Sequence, residues 1–327
     1  MRIEPVEFPI TVAVFLLALV FTGRAVAQDV IAPTELADKL IVGEIDVVTA
    51  NYAPIGLAET GGAAARERLG HWIRAEFCNA PPGELCSGRP ARSPSCEWEA
   101  INLGWGAARQ ATDLNVYTAA LMRARSWLAA REAEISVDME ARASSYNDWR
   151  ATLMRLRSRD QSWRRLRISM RADQDELVAT EWRIRSYMAS VRLCQTDRAS
   201  AHFARDRFEQ NGWPRISEFG AEADESLWLL VQHGPLDLQR VVLSELERLY
   251  PIGETNPRNF AMLFDRVRQR TGQPQRYGSQ YTCSDGEHVL FETEAVDQLN
   301  ERREAMGMPA IEDAAARRCR RDVEAVD

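Results

Sequence analysis

Residues Glu97 to Arg207, a run that opens EWEAINLGWGAARQATDLNVYTAALMRARSW and closes CQTDRASAHFARDR, contain no proline, and both their glycines, Gly104 and Gly106, lie near the beginning. Proline and glycine disfavour a helix interior more than any other residues. Aromatic and aliphatic side chains recur here at helical spacing. The run predicts long helices, and with them a mainly α fold.

Downstream, the punctuation is sharper. Asn211-Gly212 followed by Trp213-Pro214 is a helix stop, because glycine accepts the left-handed closing conformation and Pro214 disfavours helix at Trp213. A helix is expected from Ala221 to His233, ended by Gly234-Pro235. The next carries Leu238, Val242, Leu246 and Leu249 on one face and halts before Pro251. Asn256-Pro257 supplies a cap and a preset first residue for a further helix, whose stripe is Phe260, Leu263, Phe264 and Val267. A β-hairpin is expected over about 275–292, with strands Gln275 to Cys283 and Glu287 to Glu292 around Asp285-Gly286. A final helix is expected from Thr293 to Met306, stopped by Gly307. No fixed-period repeat marks a solenoid.

Upstream, Ile31 to Gly70 mixes short apolar stretches with Pro33, Pro54 and Gly-rich breaks, and 78–96 holds Cys78, Cys86 and Cys96 in a Pro-rich loop. The first 27 residues have the form of a secretory signal. Arg2 lies near the start, an apolar run extends from Ile10 to Phe21, and Ala25-Val26-Ala27 offers small residues for cleavage. The organisation read from the sequence is a signal peptide at 1–27, a helical N-terminal region at 28–143 and a helical domain at 144–327. The expected location is periplasmic or secreted, with membrane contact confined to the uncleaved signal. An even number of cysteines, six, suits an oxidising compartment where disulfides persist. Three lie before residue 100 and three after residue 190, so complete pairing requires at least one bridge between the two regions.

Composition narrows the chemistry. At 45% hydrophobic and 27% charged, the chain can bury a core, which excludes a wholly disordered protein. Of 41 basic residues only Lys39 is lysine, so a lysine-based P-loop is ruled out. Arg150 to Leu193 holds 11 arginines against five acids, yet the chain as a whole carries −7. The excess reads as a solvated helix face bracketed by acids such as Asp173, Asp175 and Glu176, and no nucleic-acid partner is expected. A Gly-rich phosphate loop, a His-Glu-x-x-His helix, an acidic calcium loop and any C-x-x-C pair are missing, so neither a cofactor nor a metal is expected.

Asp160-Gln161 followed by Arg164, Gly212-Trp213-Pro214, Gln232-His233, Gln239, Asp265-Arg266, Gln275-x-Tyr277-Gly278-Ser279-Gln280 and Arg303 before Gly307 resemble the motif series of an uncharacterised bacterial domain family, a domain of unknown function. The resemblance runs from about Ser144 to the end. It departs at Ser279, where that family usually has threonine, and in an acidic partner displaced to Asp237. The family carries no established activity, so the resemblance implies a map of positions and no mechanism.

Among those positions His233 closes an apolar helix and is the residue suited to acid–base work near neutral pH, unless it only caps its own helix or satisfies buried carbonyls. Asp265 is the candidate orienter. At 100° per residue it sits about 150° from the centre of its helix's apolar stripe, facing away from that core. Gln232, Gln239, Arg266, Gln275, Tyr277 and Gln280 are the candidate binding residues, through ligand contacts or a buried polar network. Alternation along a strand puts Tyr277, Ser279 and Tyr281 on one face and Gln280 on the other. Gly278 suits a bulge or a close backbone approach.

Two functions compete on the sequence. One is a non-catalytic binding or structural module of the cell envelope, with a small polar ligand or an envelope protein as partner. The other is a periplasmic hydrolase or transferase using His233 as acid/base and Asp265 as orienter.

Overall fold

The computed structural model describes residues 31–56, 61–77, 101, 104–109, 111, 114–170, 177–284 and 287–313. The expected signal peptide, the loop expected at 78–96, the acids of 173–176 and the turn expected at 285–286 fall on residues outside those described, as do Cys78, Cys86, Cys96 and Cys319. The described residues from Ala32 onward form one compact unit. Three helices come first: α1 (Pro33–Ile41), α2 (Ala53–Gly56) and α3 (Gly62–Phe77), packed on one another. Tyr52 follows Asn51 into α2, donates to the Val47 carbonyl at 2.7 Å, and meets Tyr187 edge to face with ring centroids 6.4 Å apart. This buried contact joins the N-terminal segment to the long helices that follow.

The proline-free run forms three long helices: α4 (Leu114–Ala143), α5 (Trp149–Ser169) and α6 (Ala179–Asn211), each packed against the other two. Asp148 starts α5, its side chain accepting from the Arg150 amide at 2.9 Å. The arginines of this region pair with acids on neighbouring helices. Arg155 bonds Glu140 at 2.8 Å and Arg192 bonds Glu132 at 2.6 Å, so α4 is tied to both α5 and α6. Among the described residues no helix is long and apolar enough to cross a membrane.

Beyond Gly212, which takes φ +71°, come α7 (Ile216–Phe219), α8 (Ala221–His233), α9 (Leu236–Leu249) and α10 (Pro257–Arg270). The bounds of α8 are those its glycine and proline breaks predict. α8 packs against α5, α6, α9 and α10 and carries the centre of the core. Leu227, Leu230 and Val231 of α8 meet Leu153 of α5, Leu238 and Val242 of α9 and Leu263 of α10 there, all at most 1% exposed. Asp224, buried in the same helix, accepts from Trp213 Nε1 at 2.7 Å, Thr255 Oγ1 at 2.5 Å, the Asn256 amide at 3.2 Å and Asn259 Nδ2 at 3.3 Å. It fastens the start of α10 to α8.

The fold is mainly α with one small antiparallel hairpin, β1 (Tyr281–Ser284) and β2 (Glu287–Leu290), in the register Tyr281 to Leu290 and Ser284 to Glu287. Two expectations are corrected here. The first strand does not reach back to Gln275: residues 275–280 curl over α10, because the Asp265 carboxylate gathers the amides of Arg276, Tyr277 and Ser279. Side chains there do not alternate as on a strand. The helix expected from Thr293, α11 (Leu299–Ala305), begins later, after a 3₁₀ turn at Val296–Gln298. The backbone around residue 293 is engaged elsewhere: Gln275 donates to the Glu292 carbonyl and accepts from the Glu294 amide, both at 2.8 Å.

Candidate functional site

His233 sits at the last residue of α8, and α5 passes beside it. Its Nδ1 lies 3.0 Å from Oδ1 of Asp160 on α5. Asp160 is 0% exposed, and its oxygens also accept from Arg164 Nε at 2.9 Å and from Gln161 Nε2 at 2.7 Å. Arg164 is one helical turn from Asp160, so its other arm reaches past it, and Nη2 donates to Asp197 Oδ1 on α6 at 2.5 Å. Three helices thereby present a His–Asp–Arg–Asp chain. It runs from the buried Asp160 outward to Asp197, whose side chain is 31% exposed.

The charges of the chain are set by its surroundings. Burial lowers the His233 pKa below the ordinary histidine value; the Asp160 bond and charge work against this, while Arg164 and Arg266 add to it. The imidazole is therefore neutral at neutral pH. With Asp160 as acceptor at Nδ1, the proton belongs on Nδ1 and the lone pair on Nε2. Asp160 is itself buried, which raises its pKa, but the His233 bond, the charges of His233 and Arg164 and the Gln161 bond outweigh that and hold it below the usual range. Asp197 behaves oppositely. Burial pushes its carboxyl up to about 7, with Asp160 adding repulsion and Arg164 offsetting part of it. Within a few ångströms a histidine held below its ordinary pKa thus stands beside a carboxyl raised to about 7, one a base and one an acid, an arrangement met at proton-transfer sites.

Asp160, Asp197 and His233 each bring a possible metal-ligand atom within 4.8 Å of the others. Arg164 already donates to both carboxylates, so its guanidinium supplies the positive charge that a divalent ion would bring. Arg266 of α10 acts electrostatically on His233 and is acted on by Arg164. Its Nε is buried with no partner among the described residues, and so is Oε1 of Gln232.

The other sequence candidates lie elsewhere. Asp265 does not orient His233, whose ring nitrogen belongs to Asp160. It is 0% exposed rather than facing outward, and it accepts from the amides of Arg276 at 2.7 Å, Tyr277 at 3.0 Å and Ser279 at 2.9 Å. A segment later in the chain covers the polar side of α10, which the periodicity of α10 alone cannot reveal. Gln275 Nε2 donates to the carbonyls of Gln280 at 2.8 Å and Phe291 at 3.1 Å, and its Oε1 accepts from the Gln280 amide at 2.8 Å. Gln280 bonds Ser279 Oγ at 3.0 Å. Tyr277 packs edge-on against Phe260 and Phe264. Gln239 donates to the carbonyls of Val231 at 3.3 Å, Gln232 at 2.7 Å and Gly234 at 3.3 Å, closing the end of α8 on which His233 sits. Arg303 donates to the Tyr277 carbonyl at 2.6 Å and the Pro309 carbonyl at 2.7 Å. These residues hold backbone in place. Of the candidate binding residues, Arg266 acts on His233, and Gln232 precedes it in α8.

A family model described as a family of unknown function, DUF6624, matches residues 151–321, over half of the chain. The chain belongs to this family. No curated protein and no solved structure matches it. The DUF6624 region contains α5, α6, α8 and α10, and with them every residue of the His–Asp–Arg–Asp chain and of the loop held by Asp265. Asp160 and Arg164 were visible as an acid and a base one turn apart within a motif. Asp197 carried no local signal at all: it lies in a helix rich in charged residues, and only the packing of α6 on α5 selects it.

Proposed function

We propose that this DUF6624 member is an exported protein whose α5–α6–α8 cluster is an acid–base site for hydrolysis or group transfer. His233 is the base, Asp160 its orienter, and Asp197 the acid that holds or releases a proton across Arg164. The observation that carries the reading is the 3.0 Å contact between His233 Nδ1 and a wholly buried carboxylate, which leaves Nε2 to take a proton. Export is supported by the Arg2, Ile10 to Phe21 and Ala25 to Ala27 pattern and by the even cysteine count, which together suit a periplasmic or secreted protein stapled by disulfides.

A second reading has its own support. Gln239, Gln275 and Arg303 all spend their hydrogen bonds on backbone carbonyls, as expected of a non-catalytic module whose polar residues fasten a binding surface for a small polar ligand or an envelope protein. One experiment separates the two. The mature chain is assayed with p-nitrophenyl acetate and p-nitrophenyl phosphate, and its melting temperature is compared with that of His233→Gln. The acid–base reading expects turnover that falls by about 10²- to 10⁴-fold in the variant with little change in melting. Absence of turnover together with a melting temperature lowered by several degrees in His233→Gln would sink it in favour of the module.

A further inference from the structure

Arg266 is charged, largely enclosed and without an acceptor among the described residues, a costly arrangement unless something else supplies the negative charge. Burial lowers its pKa to about 10, and the charges acting on it, those of Arg270 and Arg164, are both positive. Other enclosed arginines have an acceptor or a negative charge at hand: Arg185 pairs with Glu181, Arg192 with Glu132 at 2.6 Å, the Glu132 charge also acts on Arg159, and Arg207 donates to the Gly212 carbonyl at 3.1 Å while stacking 4.4 Å over Trp149. Arg270 follows Arg266 by one turn of α10 and bonds only uncharged acceptors, the Gly234 carbonyl and Gln239 Oε1, each at 3.1 Å. Arg270 is thereby accounted for by its bonds to the end of α8, and Arg266 has no such contact.

Counting the groups around His233 sharpens the point. Arg164, Arg266 and Arg270 are positive, Asp160 is negative, and Asp197 is divided between its two states near neutral pH. The cluster is thus short of roughly one to two negative charges.

We infer that the site takes a small oxyanion of the phosphate class, carrying one or two negative charges, on the Arg266 guanidinium with Arg164 and Arg270 beside it. This rests on the acid–base reading only in naming its substrate class. A guanidinium fork matches such an oxyanion in shape as well as charge, and Arg266 places it next to the His233 base.

The test uses inorganic phosphate and the mature full chain. Thermal melting and calorimetric titration are run at pH 7 and constant ionic strength, with chloride and acetate as controls. Phosphate should raise the melting temperature of the wild type where the controls do not. Arg266→Gln should weaken phosphate binding by more than about tenfold. In phosphate-free buffer the same variant should melt no lower than the wild type, because it removes an enclosed charge with no acceptor. Arg266→Lys, which keeps the charge and loses the fork, should retain part of the phosphate effect. The inference is overturned if phosphate acts no more strongly than chloride, if acetate binds as well through Arg266, or if Arg266→Gln melts several degrees lower without phosphate. His233→Gln separates the two readings. Phosphate binding that survives in this variant without any wild-type turnover leaves the anion site standing and removes the base. His233-dependent turnover without phosphate binding does the reverse.

Discussion

Asp197→Asn measures what it costs to keep a second carboxylate in the cluster. Burial first, and the charge of Asp160 after it, push the Asp197 carboxyl from 3.8 up to about 7, with Arg164 offsetting part of the rise. A group whose folded pKa is raised binds its proton more tightly in the folded chain. Its stabilising contribution is complete below about pH 4 and is lost as the pH climbs to about 7. A span of about three pH units at about 1.4 kcal/mol each bounds the loss at about 4 kcal/mol. The side chain is 31% exposed and Asp160 shifts the opposite way, so about 2 kcal/mol is the expected loss. His233 contributes with the opposite sign. Its folded pKa is lowered, so its share of the stability grows as the pH rises through the ordinary histidine range, and the wild-type curve contains both terms. The groups that act most on His233 are Asp160, Arg164 and Arg266, so subtracting the variant from the wild type removes most of the imidazole's share. Asparagine keeps an oxygen for the Arg164 bond. Urea unfolding of the protein, followed by far-ultraviolet circular dichroism at pH 5 and pH 8, reads the difference. About a third of that loss lies below pH 5, so Asp197→Asn should gain about 1.3 kcal/mol on the wild type between these two values. A difference that stays constant within about 0.5 kcal/mol would mean that Asp197 ionises as an ordinary surface carboxylate, and the proposed acid would be lost.

Asp160→Asn removes the charge and weakens the bond that favour the imidazolium, so the His233 titration followed by proton NMR should move still further below the usual histidine range; an upward move would refute Asp160 as its partner. Asp265→Asn has one acceptor oxygen where the carboxylate has two, leaving at least one of the Arg276, Tyr277 and Ser279 amides unsatisfied; urea unfolding should show a loss of about 1 to 3 kcal/mol while the His233 titration stays where it was. Gln239→Ala strips the donor from the carbonyls that end α8 and should cost a similar 1 to 3 kcal/mol or so, with faster amide exchange in the last turn of α8. Gly278→Ala meets two obstacles, φ of +59° and a Cβ position 3.1 Å from Leu299 Cδ2; a loss of about 1 to 2 kcal/mol is expected, and an unchanged unfolding midpoint would contradict the turn geometry.

The helices were legible in the sequence because what makes and ends them is local. Gly234-Pro235 stops α8 after His233, Asn256 caps α10 through a 3.0 Å bond to the Arg258 amide, and the absence of proline lets α4, α5 and α6 grow long. The apolar stripe of Leu238, Val242, Leu246 and Leu249 is buried throughout, because period alone assigns a face to a core. Where a polar side chain goes is decided at longer range. His233 finds its carboxylate at Asp160, 73 residues earlier, and nothing within either helix announces the pairing. Asp265 stands on the side of α10 that its own period assigns to solvent, and becomes buried because residues 275–280 fold back over it. Helical periodicity describes a residue's position relative to its own axis. The partner that covers the remaining faces is chosen only when separate helices pack, and in this protein that choice sorted the motif residues into an acid–base cluster and a set of backbone fasteners.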